Sequence, residues 1–436
     1  MEEILSQAKK IAEQAEVYQV SSRITPINFE ANRLKEIQAK ESTINALRLI
    51  KGGKVGFAQA NGFIEPKKLV EMAAETCQFG TPAKFNFPNP RIYPRIDVFD
   101  SQVEKIPIES MVQNGEQLIA AITRHTPSIV CEATVAKGIF SVNIINSEGG
   151  NASYSKSFFN MSLEGVLIKN EDMLFVGDSL SSCHPIVDFK PIAEEVIMQL
   201  DMAKRNASLS TKIMPAIFTP RGVASTLTSP LIAAFNGKIV FDGASPLKNK
   251  LGLQVFDKNF SLWDDATLPY HVASYPCDDE GVPSQRTSLI DRGVVSHFIY
   301  DLQTAALANT RSTGNGDRHG GVPAPSPSSL IISKGDTSFG DMVKDIKEGL
   351  IIDTVIGAEQ GNILNGDFSG SVLLGYKVEN GEIVGRVKDT MVAGNVYQLL
   401  KQIEAIGKDA RWVESFIFTP CLYCSSLSVA SKTGCV

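Results

Sequence analysis

Apolar positions open the chain at helical spacing. Ile4, Ala8, Ile11, Ala12 and Ala15 share one face of residues 2–16, which predicts an opening helix. The period then shortens. Tyr18 to Phe29 and Ile44 to Ile50 read as strands. Lys51-Gly52-Gly53-Lys54 turns the second of them back into Val55 to Ala58, a hairpin with a Gly-Gly corner. Pro66 to Cys77 reads as a helix with proline near its first position. Residues 79–99, rich in proline and aromatic side chains, read as an extended surface connection. Ile108 to His125 is a second long helix. From Ser128 to Gly177 strand follows strand, with period-2 alternation clearest at Phe140, Val142 and Ile144. Ile192 to Asn206 is again helical.

The polar run Asn206 to Lys212 marks a domain boundary. The expectation is an α+β protein of two domains: a mixed α/β N-terminal domain, 1–206, and a β-rich C-terminal domain, 207–436. In the second, Ile213 to Phe218 reads as a strand and Arg221 to Phe235 as a helix. A β-rich stretch with long loops runs from Gly237 to Ser329, with a helix near Leu302 to Ala308. Ser338 to Gly349 and Val396 to Ile406 read as helices, and a strand region closes the chain. Between the last two helices, Asn380-Gly381 is a two-residue hairpin signal, because both central positions of a type I′ turn need positive φ. Leu373 to Val378 and Ile383 to Val387 flank it as strands.

Composition narrows the function classes. Of 436 residues, 43% are hydrophobic and 21% charged, enough for a sizeable core. The net charge of −6, without a dense Lys/Arg run, argues against nucleic acid as direct partner. No apolar run approaches the roughly 18 residues of a membrane span, and the charged amphipathic start lacks signal-peptide features. A cytoplasmic protein without membrane association is expected. Seven cysteines at scattered spacing suit reduced thiols.

Several short motifs then occur in order. Arg48 to Ala58 carries a glycine turn and Gly56-Phe57-Ala58. Gly243 to Gly252 contains Ser245 and Lys250-Leu251-Gly252. Asp278-Asp279-Glu280-Gly281-Val282 leads to Gln285-Arg286. Thr313-Gly314-Asn315 follows, and then Gly366-Asp367-Phe368-Ser369 ahead of Glu379-Asn380-Gly381-Glu382. This series resembles the TldD/PmbA family, also known as "modulator of DNA gyrase". The resemblance implies metal-dependent peptide cleavage. It also implies candidate peptide- or partner-binding residues in the matching loops: Asp278, Asp279, Glu280, Asn315, Asp367 and Ser369.

One departure decides what the resemblance implies for this chain. Active members of the TldD type carry HExxxH on a central helix, where two histidines hold a metal and the glutamate acts on bound water. The matching helix here, Arg221 to Phe235, has no histidine, glutamate or cysteine. The five histidines, at 125, 184, 271, 297 and 319, stand far apart. The sequence is therefore similar to the PmbA/TldE branch. That branch implies no catalytic residues and no metal in this chain, with a divalent metal only in an HExxxH-bearing partner. The partner would be a TldD-type subunit, with a homodimer as the other assembly. Together they would form a chamber for unfolded or precursor peptides. The alternative is a non-proteolytic regulatory binding protein of the gyrase-modulator type.

Other chemistry has two readings at each place. Cys421 and Cys424, with Cys435 beyond, are either part of a metal site short of ligands or apolar-flanked thiols in a strand. Asp278 to Glu280 is either a cation- or peptide-binding loop or a solvated turn. The run Arg311 to Gly321 fits no phosphate loop and reads as a flexible loop near a groove. Within it, Asp317 and His319, with Asp279, would be the acid–base groups of an autonomous hydrolase.

Overall fold

The computed structural model describes residues 1–432. Its first sheet has seven strands: β1 (Gln14–Glu30), β2 (Arg33–Ile37), β3 (Lys40–Lys51), β4 (Lys54–Asn61), β5 (Val130–Asn146), β6 (Asn151–Lys169) and β7 (Asp172–Ser182). The spatial order is β4-β3-β1-β5-β6-β7, all antiparallel, with β2 hairpinned on β1. Helices α1 (Glu2–Ala8) and α2 (Pro66–Thr76) cover one end. Then come α3 (Ser101–Lys105), α4 (Ile108–His125) and α5 (Lys190–Met202).

β5 and β6 are 17 and 19 residues long. They bury opposite faces in their two halves. Near one end Tyr18, Val142, Ile144 and Ala152 face inward with Cys277. Toward the other end Ile27, Phe29, Val135, Phe159 and Met161, of opposite parity, pack on Met111 and Leu118 of α4 and Val196 of α5. The registers β1–β5 and β5–β6 run without a shift, so the exchange follows from strand twist rather than a bulge. The uncovered half-faces are polar. One carries the cross-strand pairs Gln19–Asn45, Ser21–Thr43 and Ser141–Ser155.

The second sheet has twelve strands, beginning with β8 (Asn206–Ala207) and β9 (Lys212–Phe218). Part of it closes on itself. β9 pairs with Glu348–Ile356, which pairs with Asp367–Glu379, then Thr390–Asn395, then Ile417–Ser431, and that strand returns to β9. Central strands bury both faces. In β9, Ile217 joins the core shared with α4 and α5, while Ala216 and Phe218 join the opposite core around α6 (Pro220–Phe235). The two sheets therefore share a hydrophobic interior, with α4 and α5 between them and α6 beyond.

The structure differs from the sequence reading at element ends. The opening helix stops at Ala8, and Gln14 to Glu16 already belong to β1, paired with Arg48 to Ile50. The helix expected at Val396 to Ile406 covers Val396–Leu399 only. From Ile403 the chain is a strand on Ile417–Ser431. Phe339–Asp345 is helical, and the next strand begins at Glu348. In each case ladder pairing overrides a short helical pattern.

The hairpin at Asn380-Gly381 forms with φ of 52° and 80°, joining Glu379 to Glu382. It also docks: Gly381 N–H donates to Ile346 O, and a Cβ on Gly381 would sit 3.1 Å from the Lys344 backbone. Gly381→Val should destabilise the protein by about 1–2 kcal/mol through left-handed strain, plus the cost of the Lys344 contact. Urea unfolding checks this, and an unchanged midpoint would contradict the docked turn.

Candidate functional site

The motif Asp278-Asp279-Glu280 lies at a junction between the two sheets. Asp278 folds its own turn, its Oδ1 accepting from the Glu280 and Val282 amides and its Oδ2 from Gly316 N–H at 2.8 Å. Glu280 Oε1 accepts from Arg48 Nη1 at 2.5 Å, and its Oε2 from the Leu302 amide at 2.7 Å. Arg48, on β3, also meets Glu16 of β1 at 3.0 Å. Arg318 closes the cluster by pairing with Glu16 and donating to the Asp279 carbonyl. The rings of Phe85 and Phe87 lie 4.9 Å from the Arg48 guanidinium, and Tyr18 lies against Arg318. Arg48 is 1% exposed, and Glu16 and Glu280 are fully buried.

Burial governs the titration of this cluster. It raises Asp278 well above the usual carboxylate range, with the Glu280 charge adding to it. Asp279 is pushed up to about 6, chiefly by burial, with Arg318 opposing. Asp301, the N-cap of Leu302–Leu307, is pushed up to about 6 by burial and then by Glu280.

Each expected site residue now has a place. Asp278 and Glu280 are interior groups whose partners are the protein's own backbone and Arg48, so the solvated-turn alternative does not hold. Asn315 is buried too. Its Nδ2 donates to Asp264 Oδ2 at 2.6 Å and to the Ser326 carbonyl. Asp367 and Ser369 are exposed on the strand Asp367–Glu379, and Asp367 accepts from Asn395 Nδ2 at 2.8 Å. The structure thus joins Asp278, Asp279 and Glu280 in one cluster and leaves Asp367 and Ser369 apart on a strand surface. The Arg311 to Gly321 run is no free loop, because Arg318 is 5% exposed and ties it to Glu16. His319 and Asp317 lie 3.3 Å apart on the surface.

The thiols Cys421 and Cys424 are each pushed up to about 12 by burial, which keeps them protonated. Cys435 lies outside the described residues. Among the described residues no group of three or more His, Cys, Asp or Glu side chains is placed to hold a metal ion.

Helix α6 begins on the Thr219 cap, whose hydroxyl accepts from Gly222 N–H and donates to Asp353 Oδ1 at 3.0 Å. Its first turn lies hard against a strand: a Cβ on Gly222 would sit 2.2 Å from Ile352 O. Arg221 pairs with Asp353 at 3.2 Å and donates to the Thr354 hydroxyl. Past Arg221 the polar side chains of the helix are hydroxyls. Thr226 and Thr228 donate to carbonyls of the helix itself, and Ser229 donates to Glu359. Zinc is held by imidazole, thiolate or carboxylate donors, and α6 carries none of these.

What α6 does border is a groove. It encloses about 820 Å³ between the outer strands of the first sheet and the start of α6. Ser162, Ser179 and Ser181 line one wall, and Arg221, Ser225 and Thr354 the other. Beside it, Arg411 bonds Asp178 at 2.6 Å and Glu195 at 2.9 Å. Burial raises both of those carboxyls, against the pull of Arg411. Sequence reasoning missed this site, since its walls come from β5, β6, β7, α6 and single residues such as Thr354, Leu373 and Val413, and no local motif marks them.

Comparison with known proteins agrees with the fold. Residues 211–431 match the PmbA/TldA metallopeptidase C-terminal domain, and residues 15–77 match PmbA/TldA metallopeptidase domain 1. The chain belongs to the TldD/PmbA family. A PmbA homolog described as a metalloprotease, from Haemophilus influenzae, is 30% identical over 274 residues, 61% of this chain and 57% of the relative. An uncharacterized protein of Methanocaldococcus jannaschii is 29% identical over 415 residues, covering 92% and 93%. Among solved structures, TldE from Thermococcus kodakarensis superposes with a TM-score of 0.89 at 24% identity, over 99% of this chain and 100% of that one. That likeness establishes the fold of this TldD/PmbA member as mixed α+β. Among its described residues no helix is long and apolar enough to cross a membrane.

Two outcomes test the junction. Arg48→Leu leaves Glu280 buried without a cation and Glu16 with Arg318 alone, and should cost about 3–5 kcal/mol in denaturant unfolding; a loss typical of a surface ion pair would refute its central place. Asp301→Asn keeps the helix cap but cannot ionise. Asp301 has a folded pKa of about 6, above the unfolded value of about 4, so its favourable contribution is complete at low pH and lost as pH rises through 6. The stability of Asp301→Asn relative to the parent should therefore rise between pH 4 and 7. A difference flat with pH would show that Asp301 titrates normally.

Proposed function

We propose that this chain is the PmbA/TldE-type, metal-free subunit of a TldD/PmbA peptidase system. It helps form the chamber that receives unfolded or precursor peptides, while a TldD-type HExxxH subunit supplies the metal. The observation that carries the reading is α6. The family's fold is complete around it, yet it bears hydroxyls where an active member needs metal ligands, and a groove of about 820 Å³ runs beside its first turn. Hydrolysis by metal-bound water requires ligands this helix lacks. Holding a chain in place requires only shape and hydrogen bonds, which the groove provides. The partner assembly is a heteromer on this reading, and the autonomous hydrolase built on Asp279, Asp317 and His319 is disfavoured. Asp279 is turned into the junction, its Oδ2 taken by the Arg318 amide at 3.0 Å, while His319 stands on the surface.

The test is reconstitution. This chain alone should leave an unfolded protein substrate intact. Combined with a TldD-type member from the same organism, it should give cleavage that chelators abolish, and the two should co-elute in size exclusion. Chelator-insensitive cleavage by this chain alone, at the mixture's rate, would overturn the subunit reading.

A further inference from the structure

The outward face of the first sheet turns apolar at one end. Val130, Val166 and Phe175 stand side by side in register on β5, β6 and β7, and Ile168 stands opposite Met173 in the next row. Their alternates Cys131, Leu167, Leu174 and Val176 are buried in the core, so these five side chains point away from it. Leu373, on the strand Asp367–Glu379 of the second sheet, joins Val130, Val166 and Phe175 in lining the groove. It also lines a neighbouring recess of about 570 Å³ with Met173 and Met391. One apolar strip therefore crosses from the first sheet to the second. Val130, Ile168, Met173 and Met391 are 45%, 57%, 47% and 49% exposed. Contiguous apolar surface of this kind marks a place where another molecule docks. Ser369 and Ser371 lie at its margin, on the same side of their strand as Leu373, and pair with Ala393 and Met391.

The occupant meets a face and not a strand edge. β7 is the terminal strand of the first sheet, yet its backbone is taken. The buried Gln199 amide accepts from the Gly177 N–H at 3.0 Å and donates to the Gly177 carbonyl at 3.1 Å. Arg386 Nη2 donates to the Met173 carbonyl at 2.7 Å, and the Cys183 N–H donates to the Tyr270 carbonyl at 3.0 Å. What β7 offers outward is its row of side chains.

Charge selects the kind of occupant. On its groove side the strip is bordered by Glu132, Glu164, Glu359 and Glu414, all exposed and without an ion pair among the described residues. The one cation lining the groove, Arg221, is held by Asp353. On the other side Arg386 and Lys388 share Asp172, and Lys432 lines the recess with Glu171 and Asp389. A second copy of this chain brings no free basic set of matching size to those glutamates. A different subunit, apolar at the centre and basic along one margin, complements the strip in both respects, as a protein interface with an apolar core and a polar rim requires.

We propose that this strip is the docking surface for the TldD-type subunit, which meets it with an apolar face whose lysine or arginine margin lies against Glu132, Glu164, Glu359 and Glu414. The proposal rests on the subunit reading. It sets the partner at the mouth of the groove, so that the partner's wall completes the chamber beside α6.

The experiment measures association of the purified full chain with a TldD-type member from the same organism, by calorimetry and by co-elution. Met173→Asp and Met391→Asp, one on each sheet and each at a half-exposed position, should each weaken association at least about a hundredfold, because docking would bury an unpaired carboxylate. Ile92→Asp, at a position 97% exposed elsewhere on the chain, should leave it unchanged. Melting temperatures within a few degrees of the parent's show that the variants fold. Should either fail to fold, a photo-crosslinking side chain placed at Met391 should capture the TldD-type subunit, and one placed at Ile92 should not. Replacing Glu132, Glu164, Glu359 and Glu414 together by Gln should slow association about tenfold at low salt and flatten its salt dependence. Parent-like association of both Asp variants, or crosslinking from Ile92 alone, overturns the surface and leaves the subunit reading standing. A salt dependence untouched by the Gln replacements overturns the basic margin. Self-association of this chain that the Asp variants abolish shows that a second copy is the occupant, and overturns the proposal. If the parent pair does not associate at all, the subunit reading falls and the proposal falls with it.

Discussion

Arg48 is the residue on which the arrangement of the two sheets turns. A fully buried guanidinium is costly to desolvate, and it is tolerated only where opposite charge and aromatic faces surround it. Glu16 from the neighbouring strand and Glu280 from the other sheet's loop supply the charge, and Phe85 and Phe87 the faces. No single sheet could provide all of these. The Pro-rich connection of residues 79–99 must pass over β3 to bring its phenylalanines in. The loops after Pro276 and before Val322 must meet there to bring Glu280 and Arg318. The junction thus selects one relative placement of sheets that apolar packing alone would leave less determined.

The same placement creates the groove. The first sheet twists enough over its long strands to bury one face near the junction and the other against α4 and α5. The half-face left open beyond the junction, with Ser162, Ser179 and Ser181, then stands opposite the start of α6. The Arg411 bonds to Asp178 and Glu195 tie the strand Ile403–Val413 to β7 and α5 beside it. A polar cleft between two sheets is what remains when each sheet satisfies its own core.

Local signals in the sequence carried over where the physics is local. Asn380-Gly381 and Gly52-Gly53 mark turns because positive φ is required at those residues themselves. The periodicity of Ile108 to His125 marks a helix because one stripe, with Met111, Leu118 and Ile122, meets the core. The chain between Lys9 and Glu16 was misread because its apolar spacing suits a helix while β3 stands ready to pair with its end. The role of Asp278 to Glu280 was hidden for a related reason. Glu280 and Arg48 are separated by 232 residues, and nothing in either segment names the other. The missing donors on α6 were visible at once, since an absent residue type needs no geometry. The groove was not visible at all, being assembled from segments scattered between Val130 and Glu414.

The shared interior has a consequence for how the molecule is made. The apolar face of the first sheet and its helices is completed by Met342, Ile351, Leu374, Tyr376 and Tyr423. During synthesis the ribosome delivers β1 to β7 and α5 long before these residues emerge. For that interval the nascent chain presents a finished sheet with an unfinished lid, open to wrong partners as much as to right ones. The side-chain amide of Gln199, already synthesised with α5, closes the β7 backbone at Gly177 from the outset. It guards the centre of the strand while the rest of the polypeptide is still being translated, and leaves the stretch beyond it exposed.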